Sequence, residues 1–274
     1  MTVVADPTRH GTVLRSVRTR AVDWIPAIVV FFAAIAIWQI SIDVFNIQRF
    51  LLPKPWAIVS AFWTQRSDLW SAGWLTLKEA LGGFVIGSGL GILSALFLAR
   101  FRRLGEALLP LAIAANAIPI IAFSPIFNAW FDPLSLTPRM ATAAVLCYFP
   151  VLVNTLRGLT SVRPSQIELM RSYAAGEREI FRRVRFPTAL PFIFASLKVA
   201  TVLAMIGAIV SDYFGTFGSL GITIKNAVAL FDFETAWAAI LTASILGVAM
   251  YLAVSLAERL ALQWDPSRQE RGSA

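Results

Sequence analysis

The sequence has few of the cysteine, histidine and charged residues that soluble enzymes use for catalysis and metal binding. It has one cysteine, Cys147, and one histidine, His10, in 274 residues. A single cysteine excludes an internal disulfide, and a lone histidine in an arginine-rich N-terminal segment argues against structural zinc and histidine-based catalysis. Only 15% of the residues are charged, well below the ~25% of a typical soluble domain. We therefore expect neither a catalytic residue nor a metal site in this chain.

Apolar residues are abundant instead. They make up 57% of the chain, and the mean hydropathy is +0.69. Six apolar segments are near the ~20 residues that cross a bilayer. They run approximately over 24–42, 77–99, 107–130, 140–154, 191–213 and 236–257, and the fourth is the shortest. The first follows a basic tail but has no small-residue cleavage site, so we expect it to be a retained membrane helix rather than a signal peptide.

Lysine and arginine are distributed unevenly around these segments. With the N-terminus inside, 17 of the 24 fall in inner segments and 5 in outer ones. Because basic residues stay on the cytoplasmic side of membrane proteins, this asymmetry predicts that both termini are cytoplasmic. It also accounts for the net charge of +8 without a nucleic-acid partner.

The chain has no internal repeat, low-complexity tract or sizeable soluble segment. We expect one membrane domain over 24–258, which includes a cytoplasmic coupling loop at 163–190. Cytoplasmic tails are expected at 1–23 and 259–274. The outer stretch that begins with Pro53 and Pro55 predicts a short helix, because Trp56, Val59, Phe62 and Trp63 recur at helical spacing. Its tryptophans are typical of a helix at the membrane interface, and a simple amphipathic connector is the alternative.

The second apolar segment carries small residues at every fourth position. Gly83, Gly87 and Gly91 form a GxxxGxxxG pattern. Lipid tails give helices no hydrophobic reason to associate, so a flat glycine face gains from close backbone packing. The pattern predicts a helix–helix contact, either within this chain or with a partner.

Prolines interrupt the third and fourth segments, where they free backbone carbonyls that need other partners inside a membrane. Broken helices commonly line transport pathways. Polar side chains in the same segments are therefore candidates for a substrate pathway, with interhelical hydrogen bonds as the simpler alternative. The prolines are Pro110, Pro119, Pro125 and Pro150, and the polar candidates are Asn116, Ser124, Asn128, Tyr148 and Asn154.

Two ionisable residues fall within the fifth apolar segment. Asp212 lies near its outer end, where a charge is costly and indicates either function or solvation at the interface. Lys198 lies closer to the cytoplasmic end, and we expect its side chain to extend to the membrane surface.

A polar stretch, ELMRSYAAGEREIFRRVRFPTALP over residues 168–191, contrasts with the rest of the chain. Ser165 and Glu168 form an S-x-x-E pattern directly after Pro164. This pattern predicts a capping box and a helix that ends near Tyr173.

Small residues at 174–176 predict a turn in which Gly176 caps the first helix. A second helix is expected to present Ile180, Phe181 and Val184 on one exposed face, with its arginines largely elsewhere, and to end before Pro187. The result is an elbow of two helices on the cytoplasmic face. It either rests on lipid or docks to a soluble partner, and the three acids among its arginines favour docking.

This stretch resembles the cytoplasmic EAA loop of type I ABC importer permeases, whose pattern is E-A-A, three residues, G, nine residues, I-x-L-P. The correspondence is Glu168 for Glu, Leu169 and Met170 for the two Ala, Ala174 for Gly, Val184 for Ile, Phe186 for Leu, and Pro187 for Pro. The register is intact, although most of the other key positions carry substitutions. The motifs LLPKPWAIVSAFW, TLKEALGGFVIGSGLGIL, ANAIPIIAFSPIFNAWF and SDYFGTFGSLGI extend the resemblance over most of the chain.

The resemblance implies an all-α transmembrane fold of about six membrane helices with a cytoplasmic coupling-helix elbow. It also implies a homodimer, formed with a second permease copy in the lipid of the bacterial inner membrane. An extracytoplasmic substrate-binding protein is the expected partner on the outer face, where the candidate rim contacts are Lys54, Asp68, Lys225 and Asp232.

The chain lacks the G-x-x-x-x-G-K-[ST] phosphate loop, so we expect it not to be an enzyme. By resemblance, ATP and Mg are bound by separate ABC ATPase subunits, and this chain holds no cofactor. The elbow would then couple ATP-driven closure to alternating access. The residues expected to carry the coupling are Glu168, Arg171, Ala174, Gly176 and Phe181.

The C-terminal third is more similar to permeases for riboflavin or thiamine-pyrimidine precursors than to those for taurine, sulfonates or nitrate. Aromatic side chains that stack a flat heteroaromatic ring are available, and a membrane-interface belt explains them equally well. They are Trp130, Phe131, Tyr148, Tyr213 and Phe214.

Three other classes compete with this interpretation. A secondary transporter or channel also has broken helices, but the chain lacks inverted repeats and a run of central ionisable residues. An intramembrane enzyme needs a nucleophile and base or metal ligands, for which the membrane segments offer no histidine. A structural scaffold leaves the EAA register unexplained.

Overall fold

The computed structural model describes residues 11–48, 52–115, 118–132, 135–214 and 218–262, and these contain helices and turns but no strand. The predicted all-α fold is confirmed. The helices are α1 Gly11–Val44, α2 Pro55–Thr64, α3 Arg66–Arg100, α4 Arg102–Ala115, α5 Ser124–Trp130, α6 Thr137–Thr160, α7 Pro164–Ser172, α8 Glu177–Ile180, α9 Phe186–Asp212, α10 Leu220–Ala229 and α11 Phe233–Ala261. A 3₁₀ turn, Ile120–Phe123, precedes α5, and a π-helical turn, Phe181–Arg185, joins α8 to α9.

Within the described residues, five helical stretches are long and apolar enough to cross a membrane. They are Ile25–Val44, Arg66–Arg100, Thr137–Thr160, Glu177–Asp212 and Phe233–Ala261. Five of the six predicted segments therefore correspond to such helices. The fourth is longer than its apolar core suggested, because α6 extends over 24 residues.

The third predicted segment, 107–130, is not one helix, and this expectation is corrected. Helix α4 extends to Ala115, and Ile118 and Pro119 are not helical before the 3₁₀ turn begins at Ile120. Pro119 directly precedes the 3₁₀ turn, and Pro125 occupies the first turn of α5, where a missing N–H costs nothing. Pro110 and Pro150, by contrast, lie inside α4 and α6 without ending either helix.

Helices α3, α6 and α9 form the centre of the bundle, and the glycine face of α3 packs against α6. A Cβ on Gly87 would lie 2.2 Å from the Ala144 carbonyl oxygen, and one on Gly83 would lie 2.3 Å from the Ala143 Cβ. At Gly91 the nearest atom is the Tyr148 carbonyl oxygen, at 2.8 Å. The predicted contact is confirmed, and its partner is in the same chain.

The remaining long helices pack around this centre. Helix α11 contacts α9, α3 and α10, and its N-terminal end is joined to the start of α3 by a 2.7 Å hydrogen bond from Gln65 Nε2 to Thr235 Oγ1. The side chains of α1 from Ile25 onward are largely exposed, and the helix reaches α11 through Trp38 and Trp237, whose ring centroids are 5.4 Å apart. Helix α7 lies at the end of the bundle that we call the elbow side, and the start of α11 lies at the opposite end, the far side.

Candidate functional site

The polar stretch folds into a compact elbow, which we define as residues 164–185. Helix α7 ends at Ser172, the chain turns through 173–176, and α8 then continues through the π-helical turn into α9. Amides of the turn donate to carbonyls of α7, from Ala174 N to Arg171 O at 2.9 Å and from Ala175 N to Met170 O at 3.1 Å. The predicted pair of helices is present, but the second does not end before Pro187. It runs on into the membrane helix, because the π-helical turn Phe181–Arg185 directly before α9 accommodates Pro187, which has no N–H to donate.

The reversal of the chain occurs at Ala174, which has φ of +57°. This is the left-handed region, which favours glycine, and Ala174 stands at the position where the EAA pattern has its glycine. Gly176 has φ of −73° and ψ of 162° and is the N-cap of α8. The prediction that Gly176 caps the first helix is therefore wrong.

The predicted capping box is also absent. The N-cap of α7 is Arg163, in extended conformation, and Pro164 begins the helix without a side-chain cap bond. Ser165 and Glu168 consequently lie inside the first helical turns. The physical reason is Pro164 itself, which disfavours helical backbone at the residue before it and so moves the boundary to Arg163.

An ion pair crosses the turn of the elbow. Arg171 Nη2 lies 2.9 Å from Glu177 Oε1, and Arg185 Nη2 lies 4.0 Å from the other oxygen of the same carboxylate. Both Arg171 and Glu177 are well exposed, so each contact contributes little alone. Together they link α7, α8 and the π-helical turn and favour one elbow geometry.

The exposed apolar side chains of the elbow lie on α7 and its turn. Leu169 is 58% exposed and Tyr173 is 78% exposed, beside the exposed Glu168. Ile180 is only 1% exposed, and Phe181 is partly buried against Leu159 and its neighbours. The expectation that Ile180 and Phe181 are both exposed is wrong, because α8 leads directly into the bundle and places them inside it.

A groove of about 590 Å³ separates α7 from the membrane helices. Its floor is apolar, with Leu98, Leu156 and Val162, and Glu168 and Arg171 lie at its edge. Two of the predicted coupling residues therefore share one groove beside the exposed face of α7.

Asp212 is fully buried at the end of α9, so its alternative explanation, solvation at an interface, is wrong. It belongs to a cluster with Glu79 of α3 and Arg139 of α6, which we call the acid–arginine cluster. Arg139 Nε lies 3.3 Å from Asp212 Oδ1, and Arg139 Nη1 lies 3.4 Å from Glu79 Oε1, with every side chain at most 3% exposed. Such burial is costly unless opposite charges pair, so the three residues stabilise one another.

Sequence reasoning missed two members of this cluster. The fourth apolar segment begins at residue 140 and so leaves Arg139 among the five basic residues of the outer loops, yet α6 starts at Thr137. Glu79 lies inside the second apolar segment, and an acid at that depth is a signal that was available from the sequence.

The other pathway candidates are scattered, and Asn116 lies outside the described residues. Asn128 donates to the Ser124 carbonyl at 2.8 Å, and Trp130 is highly exposed at the end of α5. Tyr213 is exposed just beyond α9. The structure thus does not gather these three around one cavity.

Tyr148 is the candidate that lines a cavity. It donates to Ser94 Oγ at 3.1 Å inside a groove of about 600 Å³ between α3, α4 and α6. The rest of the wall is apolar and includes Phe97, Leu108 and Phe149.

Three of the four predicted rim charges are engaged within the chain. Lys54 pairs with Asp43, Lys225 Nζ donates to the Tyr213 carbonyl at 2.9 Å, and Asp232 accepts from the Thr235 amide at 3.1 Å as the N-cap of α11. No such contact of the Asp68 side chain is recorded among the described residues.

Lys198 does not extend to the membrane surface, and this expectation is corrected. Its Nζ lies 2.9 Å from Glu258 Oε2 of α11, and both side chains are largely buried. The ion pair replaces the solvation that a surface position would supply.

The chain matches a family model over residues 87–262, described as the binding-protein-dependent transport system inner membrane component. The riboflavin transport system permease protein RibX of Chloroflexus aurantiacus is 31% identical over 232 residues, 84% of this chain and 86% of that protein. The formylaminopyrimidine transport permease protein ThiX of Halalkalibacterium halodurans is 33% identical over 242 residues, 85% and 93% of the two chains. The putative aliphatic sulfonates transport permease protein SsuC of Escherichia coli is 28% identical over 236 residues, 85% and 89%.

Solved structures support the same fold. An amino acid ABC transporter has a chain that superposes with a TM-score of 0.58 at 19% identity, over 72% of this chain and 95% of that one. An inward-facing MetNI methionine ABC transporter gives 0.51 at 19% identity, over 72% and 96%. At this level of identity the likeness concerns the fold alone.

Proposed function

Because the chain belongs to the binding-protein-dependent transport system inner membrane components and is a type I ABC importer permease, we propose that a separate ATPase drives it to move a small solute by alternating access. It is a multi-pass inner-membrane transport subunit. The proposal places both termini and the elbow in the cytoplasm and pairs the chain with a second identical copy. A substrate-loaded binding protein would dock on the far side.

The observation that carries this proposal is the form of the elbow. Its exposed apolar side chains, Leu169 and Tyr173, lie on a short helix held by the Arg171–Glu177 ion pair. The helical stretch from Glu177 to Asp212 then runs without a break for 36 residues. At about 1.5 Å per residue it is roughly 54 Å long, enough to cross a bilayer from the elbow to the far side.

This arrangement supplies a simple mechanism. The ATPase would hold α7 through Leu169 and Tyr173, with Glu168 and Arg171 fixing the register, since apolar anchors supply most interface energy and charges supply specificity. Ala174 and Gly176 shape the turn, and Phe181 packs the elbow onto its own bundle rather than meeting the partner. Closure of two ATPase subunits would displace α7, and the continuous helix would carry the displacement to the far side.

Co-purification of the ATPase with the permease tests the docking. Tyr173→Ala and Leu169→Ala are expected to weaken ATPase binding at least about tenfold each, because exposed anchors at an interface centre dominate affinity. Leu230→Ala is the matched control, since Leu230 is as exposed as Tyr173, at 78%, but lies on the far side. Equal ATPase recovery with all three variants would refute docking through α7.

For the substrate we propose a flat heteroaromatic vitamin or vitamin precursor of the riboflavin or thiamine-pyrimidine type. Two relatives above 30% identity carry such substrates in their names, and the groove beside Tyr148 combines aromatic walls with a hydroxyl pair. Sulfonate, taurine or nitrate transport is the second candidate, supported by the sulfonate permease relative at 28% identity.

Uptake competition separates the two candidates. In cells that depend on this transporter, excess riboflavin or formylaminopyrimidine is expected to block uptake of the labelled vitamin, whereas taurine leaves it unchanged. Tyr148→Phe removes the hydroxyl and keeps the ring, so it is expected to raise the uptake KM by about threefold to tenfold. Labelled taurine uptake that vitamins do not inhibit would overturn the vitamin assignment.

A further inference from the structure

The acid–arginine cluster also holds the start of α10, a ten-residue helix too short to span a membrane. Thr76 Oγ1 accepts from the Leu220 amide at 3.0 Å and donates to Asp212 Oδ2 at 3.2 Å. The same Asp212 oxygen is 3.4 Å from the Gly221 amide. The Asp212 carboxylate therefore stabilises the first turn of α10, because the amides of that turn have no partner within the helix.

The fit between Asp212 and α10 is close. A Cβ on Gly221 would lie 2.3 Å from the Asp212 Cβ and 2.4 Å from the Ile209 carbonyl oxygen, so only glycine allows this approach. The N-terminal end of a helix also favours a negative charge, which Asp212 supplies. The α9–α10 contact depends on one carboxylate held in one position.

Arg139 determines that position. Its guanidinium reaches Asp212 of α9 with Nε and Glu79 of α3 with Nη1, and all three side chains are sealed from solvent. Without the guanidinium, the two buried acids have no positive charge beside them, so Asp212 loses the partner that holds its carboxylate against α10. A second set of bonds supports the site, from Ser124 Oγ and from Thr142 Oγ1 to Ser211 Oγ at 2.9 and 3.2 Å.

We propose that Arg139 is a positioning residue that fixes α10 to the far end of α9, so that the two helices move as one unit during transport. This inference rests on the proposed function, because it makes α10 part of the path between the ATPase and the far side. Loss of Arg139 then uncouples the far side from α9 while leaving the packing of the α3 glycine face against α6 intact.

Hydrogen exchange of the purified permease measures the structural part. In Arg139→Gln, the amides of Leu220–Ala229 are expected to exchange at least about tenfold faster than in the parent, while those of the Gly83–Gly91 stretch stay protected. Asp212→Asn is expected to show the same faster exchange in α10 as Arg139→Gln. Glu79→Gln keeps the Arg139–Asp212 pair and is expected to resemble the parent, as is Arg66→Gln, which removes an exposed arginine of the same side.

ATPase activity of the assembled complex measures the functional part. Arg139→Gln is expected to keep its basal rate and to lose at least about tenfold of the stimulation by loaded binding protein, and Arg139→Lys to recover part of it. Unchanged exchange in α10, or faster exchange in both stretches alike, overturns the positioning role. Normal stimulation of the ATPase in Arg139→Gln overturns the positioning role as well. A permease that never binds an ATPase refutes the proposed function instead, and the hydrogen-exchange result then decides the positioning role of Arg139.

Discussion

Ala174 adopts a strained backbone conformation at the position where the EAA pattern has its glycine. Its left-handed backbone costs about 1–2 kcal/mol for any residue with a Cβ. The chain thus keeps the family's turn without the family's residue. Gly176, two residues later, has ordinary extended backbone and makes no comparable contribution.

Ala174→Gly is expected to raise the stability of the permease by about 0.5–1 kcal/mol, because it relieves this strain. The measurement is thermal unfolding of the detergent-solubilised protein. Gly176→Ala is the control, since a Cβ there meets no atom within 4 Å and φ is negative, so little change is expected. A loss of stability in Ala174→Gly together with a gain in Gly176→Ala would contradict the assignment of the turn.

Single charged residues were only partly predictable. Asp212 was identified because an acid near the end of an apolar segment is unusual. Its partners were not identified, because Glu79 precedes the GxxxGxxxG pattern in the same apolar segment and Arg139 lies one residue before an apolar run. Pairing between distant helices leaves no local pattern, so the cluster became visible only in three dimensions.

Helices α3 and α6 are the elements whose contact the sequence predicted best. The GxxxGxxxG face identified the surface, and the structure adds the partner and the clearances. The broken third segment shows the opposite case. Its apolar composition predicts a single membrane-crossing helix, but prolines at its centre divide the segment. Composition alone does not distinguish one long helix from two shorter ones.

Gly87→Ala is expected to destabilise the permease by about 1–3 kcal/mol, because its Cβ would collide with the backbone of α6 rather than with a movable side chain. Gly89→Ala is the matched control on the same helix, since a Cβ there meets nothing within 4 Å and alanine favours helix. Thermal unfolding and monodispersity in detergent distinguish the two variants. Equal stability of both would show that this face is not packed as described.

The described part of the chain combines a tightly packed centre with surfaces that the single copy leaves exposed. Helices α3, α6, α9 and α11 bury alanines, glycines and threonines against one another, while α1 and the broken α4–α5 region expose large apolar side chains. Lipid or a second copy would cover these surfaces, and composition does not reveal which. The membrane class, the helical fold and the elbow followed from the sequence, whereas the acid–arginine cluster and the clearances between α3 and α6 depend on long-range packing.

On the proposed mechanism, an ATPase held by the elbow drives transport through this chain. The most direct measurement is solute uptake into vesicles that contain the permease, its ATPase and the loaded binding protein, with ATP supplied on the elbow side. Uptake is expected with ATP, to be lost with a nonhydrolysable analogue, and to fall at least about tenfold in Tyr173→Ala. Uptake driven by an ion gradient in vesicles that lack the ATPase would contradict the account.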